Sequence, residues 1–218
     1  MNTRHVIAIT GGIGSGKSTV SRFWAARAQL PLIDIDQLCR ELLEIGMPGW
    51  VALKTSLGAA YFDPDGRLNR QCLRAAIFDD AGLRHVVNQF IHPLAMQLLH
   101  KKMGYLDGDV LVDVPLLFEA GWEKQFSRTV VVYADRQTCC RRLCSRDKIL
   151  PGEAVKAIAA QMSIGEKALR ADHVVDNRYC WLLTRMQISH LAEIVRTGCP
   201  AESSGASGSD PVFSSVQE

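Results

Sequence analysis

The amino-acid sequence predicts an α/β fold: a mostly parallel β-sheet flanked by helices, with a helical insertion and a lid. Three observations carry this reading. An apolar, β-branched run at His5–Thr10 ends in glycines and gives way to a helical pattern. Four more short apolar runs follow, separated by longer stretches of helical character. Between Gln37 and Gly108 there are helical patterns but no strong strand. Short apolar runs alternating with helices are the signature of strands buried on both faces of a parallel sheet and joined by crossover helices.

In chain order, His5–Thr10 (HVIAIT) is the first strand, and from Ser18 the residues Val20, Phe23, Trp24 and Ala28 recur at helical spacing. The other strands are read at Leu32–Ile35, Val110–Val114, Thr129–Ala134 and His173–Val175. Helices around Asp36–Ile45, Asn69–Phe78 and Leu83–Leu106 fill the insertion, taken as residues 37–107, between two parts of a core at 1–36 and 108–197. At Arg146–Glu153 (RDKILPGE) charge, proline and glycine interrupt two helical segments, as in a hinged lid. The tail, 198–218, is rich in Ser, Gly and Pro and is expected to be disordered and dispensable.

Composition bounds the function. The chain has 218 residues, 47% of them apolar, enough for a core. Its 25 basic and 23 acidic residues leave a net charge of +2, too little for the broad basic face of a nucleic-acid binder. The seven cysteines are odd in number and include no C-x-x-C pair, which speaks against a disulfide framework or a zinc site. No apolar run approaches the roughly 20 residues of a membrane span, and the N-terminus lacks the features of a signal peptide. A cytoplasmic protein with reduced thiols and no membrane partner is expected.

The motif that carries chemistry is GGIGSGKST at Gly11–Thr19. Gly11, Gly16, Lys17 and Ser18 satisfy G-x-x-x-x-G-K-[ST], the P-loop pattern. Glycines let the backbone curl around phosphate with its N–H groups turned inward, while the following helix directs its positive end at the same charge. Lys17 would reach the β and γ phosphates, Ser18 offers a hydroxyl to Mg²⁺, and Thr19 lies near the α phosphate. A chance match in a glycine-rich turn is the alternative, and the strand before and helix after the loop argue against it. No N-K-x-D motif marks a GTPase. Asp63-Pro-Asp-Gly66 has the spacing of D-x-x-G but follows no apolar strand, so it reads as a turn.

Leu32-Ile-Asp-Ile-Asp36 places two carboxylates at the carboxyl end of a strand, where open α/β sheets bind ligands. Alternation would point Asp34 and Asp36 to one side. Either could orient or accept the proton of an attacking hydroxyl, or hold Mg²⁺ through water, and either could instead cap a helix beginning near Gln37. The Val110–Val114 run carries Asp113, a candidate metal ligand or a buried, locally hydrogen-bonded acid. Arg142 and Arg146, four apart, share a helix face suited to reach over a triphosphate; solvated helix charge is the bland alternative.

Taken together these motifs resemble the dephospho-CoA kinase family. The resemblance runs from Val6 to about Val195. It rests on ITGGIGSGKSTV (Ile9–Val20), LIDIDQLCREL (Leu32–Leu42), the segment from Tyr61 through Leu68-Asn-Arg70 to Ile77-Phe78, and His92-Pro93. It continues with DVPLLFE (Asp113–Glu119), Arg142, Arg146-Asp147, Gln161 and ADHVVDN (Ala171–Asn177). It implies transfer of the γ phosphoryl of Mg·ATP to the ribose 3′-hydroxyl of dephospho-CoA. A monomer or weak homo-oligomer is expected. ATP would lie along Gly11, Gly12, Ile13, Gly14, Ser15, Gly16, Lys17, Ser18 and Thr19, with Asn177 near the adenine and Arg142 against base or phosphates. Asp36 matches the acid that serves as base, and Arg40, Arg70, His92 and Pro115, Leu116, Leu117 and Glu119 would line the acceptor site. The lid segment Lys148–Gly152 is this chain's own version. Rival readings are another small-acceptor kinase, such as a nucleoside monophosphate or shikimate kinase, and a non-catalytic nucleotide sensor.

Overall fold

The computed structural model describes residues 4–197; the tail expected at 198–218 lies outside the described residues. Five strands form one sheet: β1 (Val6–Gly11), β2 (Leu32–Asp34), β3 (Val110–Asp113), β4 (Arg128–Tyr133) and β5 (His173–Asp176). Their order is β2-β3-β1-β4-β5, and every neighbouring pair is parallel. The chain leaves β1 toward β2 and β3 on one side and β4 and β5 on the other. The carboxyl end of β1 is therefore a topological switch point, where a crevice opens. Register sets its walls, since Ile9 and Asp34 both pair with Asp113, so three strands end there together.

Each face of the sheet is covered because its strands are apolar on both sides. Ile7 and Ile9 pack with Val20 and Trp24 of α1 (Lys17–Ala28) and with Ile188 and Leu191 of α9 (Trp181–Thr197). Ala8, Val112 and Val131 face the opposite way, toward Ile35 and Leu38 of α2 (Ile35–Leu42) and Leu99 of α5 (Ala81–Met103). Each large apolar side chain taken fully from water contributes about 1.5–3 kcal/mol.

The insertion holds α3 (Pro48–Leu57), α4 (Arg70–Asp79) and α5, with its own core of Leu53, Leu68, Leu73, Val87 and Ile91. Cys39 of α2 packs against both this cluster and the main one, so α2 joins the two. Helix α3, begun by Pro48 at its first position, has no counterpart in the sequence reading, because Trp50, Val51, Leu53 and Leu57 are spread over weak helical spacing. The Asp63–Gly66 segment is a turn, closed by the Gly66 N–H donating to the Asp63 carbonyl at 2.8 Å. Downstream, α6 (Arg136–Asp147) and α7 (Pro151–Ala159) meet at Lys148, whose left-handed φ of 57° ends α6; α8 (Ile164–Arg170) then leads into β5.

Candidate active site

The glycine loop is held from behind by side chains. Gly16 has φ 90°, and helix α1 begins at the next residue, Lys17. A Cβ at Gly16 would lie 2.3 Å from Asn177 Nδ2, so both conformation and space demand glycine there. Asn177 Nδ2 donates to the Ser15 carbonyl at 2.7 Å, and Asn177 Oδ1 accepts from Thr184 Oγ1 at 3.0 Å. Arg142 from α6 donates to the carbonyls of Ser15 (3.1 Å), Gly14 (3.5 Å) and Asn177 (2.8 Å). On the opposite flank the Ile13 N–H donates to Gln161 Oε1 at 2.9 Å. Pinning these carbonyls backward fixes the curl of the loop, which the Ser15 N–H closes by donating to the Gly12 carbonyl at 3.0 Å.

That cleft, about 710 Å³, is lined by Gly11–Thr19 apart from Ser15, and by Arg22, Arg142, Arg146 and Gln161. Ser18 and Thr19, at the start of α1, are exposed and line this cleft. Asn177, expected near the adenine, is buried and has its amide committed to the loop and Thr184. Arg142, expected against base or phosphates, reaches the cleft while its guanidinium braces the loop. Arg146 lies on the same face but is paired with its neighbour Asp147 at 2.7 and 2.8 Å.

Asp113, only 3% exposed, ends β3 beneath the loop. Its Oδ1 is ion-paired with Lys17 Nζ, and its Oδ2 accepts from Ser21 Oγ at 2.9 Å. It does not line the cleft. Burial pulls the Lys17 ammonium down to about 8, with Asp36 and Asp34 pulling the other way and Lys167 adding to the fall.

The two carboxylates of Leu32–Asp36 have different places. The strand stops at Asp34 and the helix starts at Ile35, two residues before Gln37, so strand alternation does not set their directions. Asp34 is the N-cap of α2 and accepts from the Gln37 N–H at 3.3 Å. Asp36 lies in the first turn, beyond the cap, and opens into the cleft. Crowding by protein raises the Asp36 pKa, and Asp34 adds to this; Lys17, Arg40 and Arg74 oppose it.

Asp36 also lines a second cavity of about 310 Å³, shared between the insertion and the sheet. Arg74, Pro115 and Leu116 likewise belong to both spaces. The cavity wall is largely apolar (Cys39, Leu53, Leu73, Ile91), with Arg70 and His92 among its polar residues. Arg70 also donates to the Arg40 carbonyl at 3.1 Å and to Glu44 at 2.8 Å. His92 packs edge-on to Trp122 at 4.8 Å, and burial lowers its pKa. Of the residues expected to line this site, Asp36, Arg70, His92, Pro115 and Leu116 do so. Leu117 instead belongs to the sheet core. Glu119 turns away to Lys167 Nζ at 2.7 Å, and Arg40 faces the cavity only through its charge on Asp36. Arg22, Arg74 and Trp122 were not singled out from sequence; for Arg74 the signal was available, one helical turn beyond Arg70.

A phosphate loop whose cleft opens into a second cavity past the Asp36 carboxylate is the working arrangement of a P-loop kinase for a small acceptor. This fold and site define that class. The family model described as dephospho-CoA kinase matches residues 5–180, and the chain belongs to that family. It is 37% identical over 187 residues to the dephospho-CoA kinase of Symbiobacterium thermophilum, covering 84% of this chain and 78% of that one. With the dephospho-CoA kinase of Synechococcus elongatus it shares 35% identity over 194 residues, 88% of this chain and 93% of the relative. Among solved structures, TT1252 from Thermus thermophilus superposes with a TM-score of 0.77 at 32% identity, over 88% of this chain and 98% of that one.

Proposed function

We propose that the two spaces are the two halves of one phosphoryl-transfer site, with ATP along the glycine loop and dephospho-CoA entering from the apolar cavity. The reaction is ATP-dependent phosphorylation of dephospho-CoA to coenzyme A, with the ribose 3′-hydroxyl as acceptor. One observation carries the arrangement: Asp36 lines both spaces, while the capping of α2 falls to Asp34.

The roles follow from chemistry. Phosphoryl transfer proceeds through a loose transition state, so positioning and charge stabilisation supply most of the rate. Lys17 would leave Asp113 for the β and γ phosphates, Arg146 would exchange Asp147 for phosphate, and Arg142 would keep the loop in shape. Asp36 orients the hydroxyl and accepts its proton, its raised pKa making it a better base than an ordinary aspartate.

The residues present fit a Mg²⁺ ion arriving with the nucleotide. Such an ion needs only one or two protein oxygens beside phosphate and water, and the exposed Ser18 hydroxyl supplies one. Asp113 holds Lys17 and Ser21 in this structure; once Lys17 has moved to phosphate, the Asp113 Oδ1 would be free for the metal or for a water on it. Bound there, Mg²⁺ would neutralise charge on the β and γ oxygens.

The proposal takes 37–107 as the acceptor-binding insertion and the α6–α7 junction, about 146–153, as a lid over the nucleotide. It also includes a cytoplasmic location, in keeping with the free thiols Cys39, Cys72, Cys139, Cys140, Cys144 and Cys180. Among the described residues no helix is long and apolar enough to cross a membrane. One chain lines both spaces, in keeping with a monomer or weak homo-oligomer.

The test is direct. The protein is incubated with Mg·ATP and, separately, dephospho-CoA, AMP and shikimate, and each acceptor is weighed by mass spectrometry. A gain of one phosphate on dephospho-CoA alone is expected. Phosphorylation of another acceptor instead, or of none, overturns the reading.

A further inference from the structure

Lys167 on α8 is fully buried, yet it has no place in the reaction described above. Its Nζ is ion-paired with Glu119 Oε1 at 2.7 Å, and among the described residues its N–H donors find no aligned hydrogen-bond acceptor. A buried charge of this kind is a poor device for stability, because an apolar side chain of similar volume does as well or better. What the pair touches suggests another use. The same Glu119 oxygen accepts from the Met162 N–H at 3.2 Å, and the preceding residue, Gln161, holds the Ile13 N–H at the tip of the glycine loop. Glu119 itself follows β3 by six residues, on the segment whose Pro115 and Leu116 separate the two cavities.

We infer that Lys167 and Glu119 are positioning residues for nucleotide binding: their ion pair anchors the α7–α8 turn so that Gln161 keeps its grip on the phosphate loop. The inference rests on the reading of that loop as the ATP site. The loop is then braced from both flanks, by Arg142 and Asn177 on its carbonyls and by Gln161 on an N–H, and only the second brace depends on a buried ion pair. The closeness of Lys167 to the loop is also felt by Lys17, whose pKa it helps to lower.

The experiment measures the Kd of Mg·ATP by calorimetry without acceptor, together with Tm and the KM of each substrate. Lys167→Met and Glu119→Gln should each weaken ATP by about tenfold, the loss expected when one aligned hydrogen bond goes astray, while the KM for dephospho-CoA stays within about twofold. The double variant removes both charges and leaves a Gln oxygen for the Met162 N–H, so its ATP affinity should return to within about threefold of the native protein. Gln161→Leu, which leaves the ion pair intact, should reproduce the ATP loss.

A fall in Tm with ATP affinity unchanged in Lys167→Met would show a purely structural pair and overturn the inference. So would an unchanged Kd in Gln161→Leu, which decides the matter if the Lys167 variant does not fold. Native protein that fails to bind Mg·ATP at all would instead sink the nucleotide-site reading itself.

Discussion

Lys17 and Asp113 form an ion pair that ties the first turn of α1 to the end of β3, directly beneath the phosphate loop. A lysine parked on a buried carboxylate is available to triphosphate only while it keeps its proton. With burial bringing its pKa to about 8, the ammonium fraction of the free enzyme declines as pH rises through that value. The kcat/KM for ATP, which reports the free enzyme, should therefore fall above about pH 8, while kcat holds to higher pH because bound phosphate favours the charged form. Asp113→Asn removes an anion beside the ammonium and should move the limb to lower pH. A limb at the ordinary lysine value, in a full pH–rate profile of the native enzyme, would contradict this.

As the proposed base, Asp36 should control the acid side. Its carboxylate must be ionised to take the hydroxyl proton, and its pKa lies above the usual aspartate value, so activity should be lost on acidification earlier than for a solvated carboxylate. Arg74 opposes that rise, and Arg74→Met should shift the acid limb further upward in pH. Asp36→Asn should cost about a hundredfold or more in kcat. It should leave Tm nearly unchanged, because Asp34, not Asp36, caps α2. Turnover near normal in Asp36→Asn, measured beside an unaltered melting curve, removes the residue from this role.

The contrast between these neighbours marks what sequence can convey. The five strands and the glycine loop were legible because parallel strands buried on both faces read as short apolar runs, and the loop's chemistry admits few residues. Asp34 and Asp36 were both visible as candidates, but which one capped a helix depended on where the strand ended, a tertiary matter of two residues. Asn177 and Arg142 were picked for contact with nucleotide, and their packing on loop carbonyls depends on β5 and α6 arriving behind the loop from more than a hundred residues away. Glu119 and Lys167 lie 48 positions apart, with no local pattern to pair them. Chain spacing names the chemistry of a side chain, and the third dimension decides which way it turns.

Arg142 reaches three carbonyls with one planar guanidinium. A lysine keeps the charge but not the fork, so it can satisfy no more than part of this set. Arg142→Lys should raise the KM for ATP by about tenfold, as expected for one to two lost charge-assisted hydrogen bonds, with little gain over Arg142→Ala. Gly16→Ala attacks the same bracket from within. Beyond about 1–2 kcal/mol for a side chain in left-handed conformation, its Cβ would displace the Asn177 amide that holds Ser15. Calorimetric titration with Mg·ATP should find no binding in Gly16→Ala. Full rescue of the Arg142 site by lysine would show that charge, and not the shape of the loop, is what that residue supplies.

Cys39 lies in the wall of the cavity proposed for the acceptor, and its thiol is pushed up to about 11, first by burial and then by Asp36 and Asp34. The thiolate is the reactive form, so at neutral pH this side chain should be inert although a ligand can reach it. The substrate proposed for that cavity carries a thiol of its own, and a protonated Cys39 would not attack the disulfide form of that substrate to displace a thiolate from it. Brief treatment with iodoacetamide at pH 7.5, followed by peptide mass mapping, should label the exposed Cys72 and Cys180 well before Cys39. Asp36→Asn takes away one of the anions that hold the proton on, and should speed labelling of Cys39 without changing that of Cys72. Labelling of Cys39 as fast as of Cys72 in the native protein would mean that neither burial nor the paired carboxylates keep the thiol protonated.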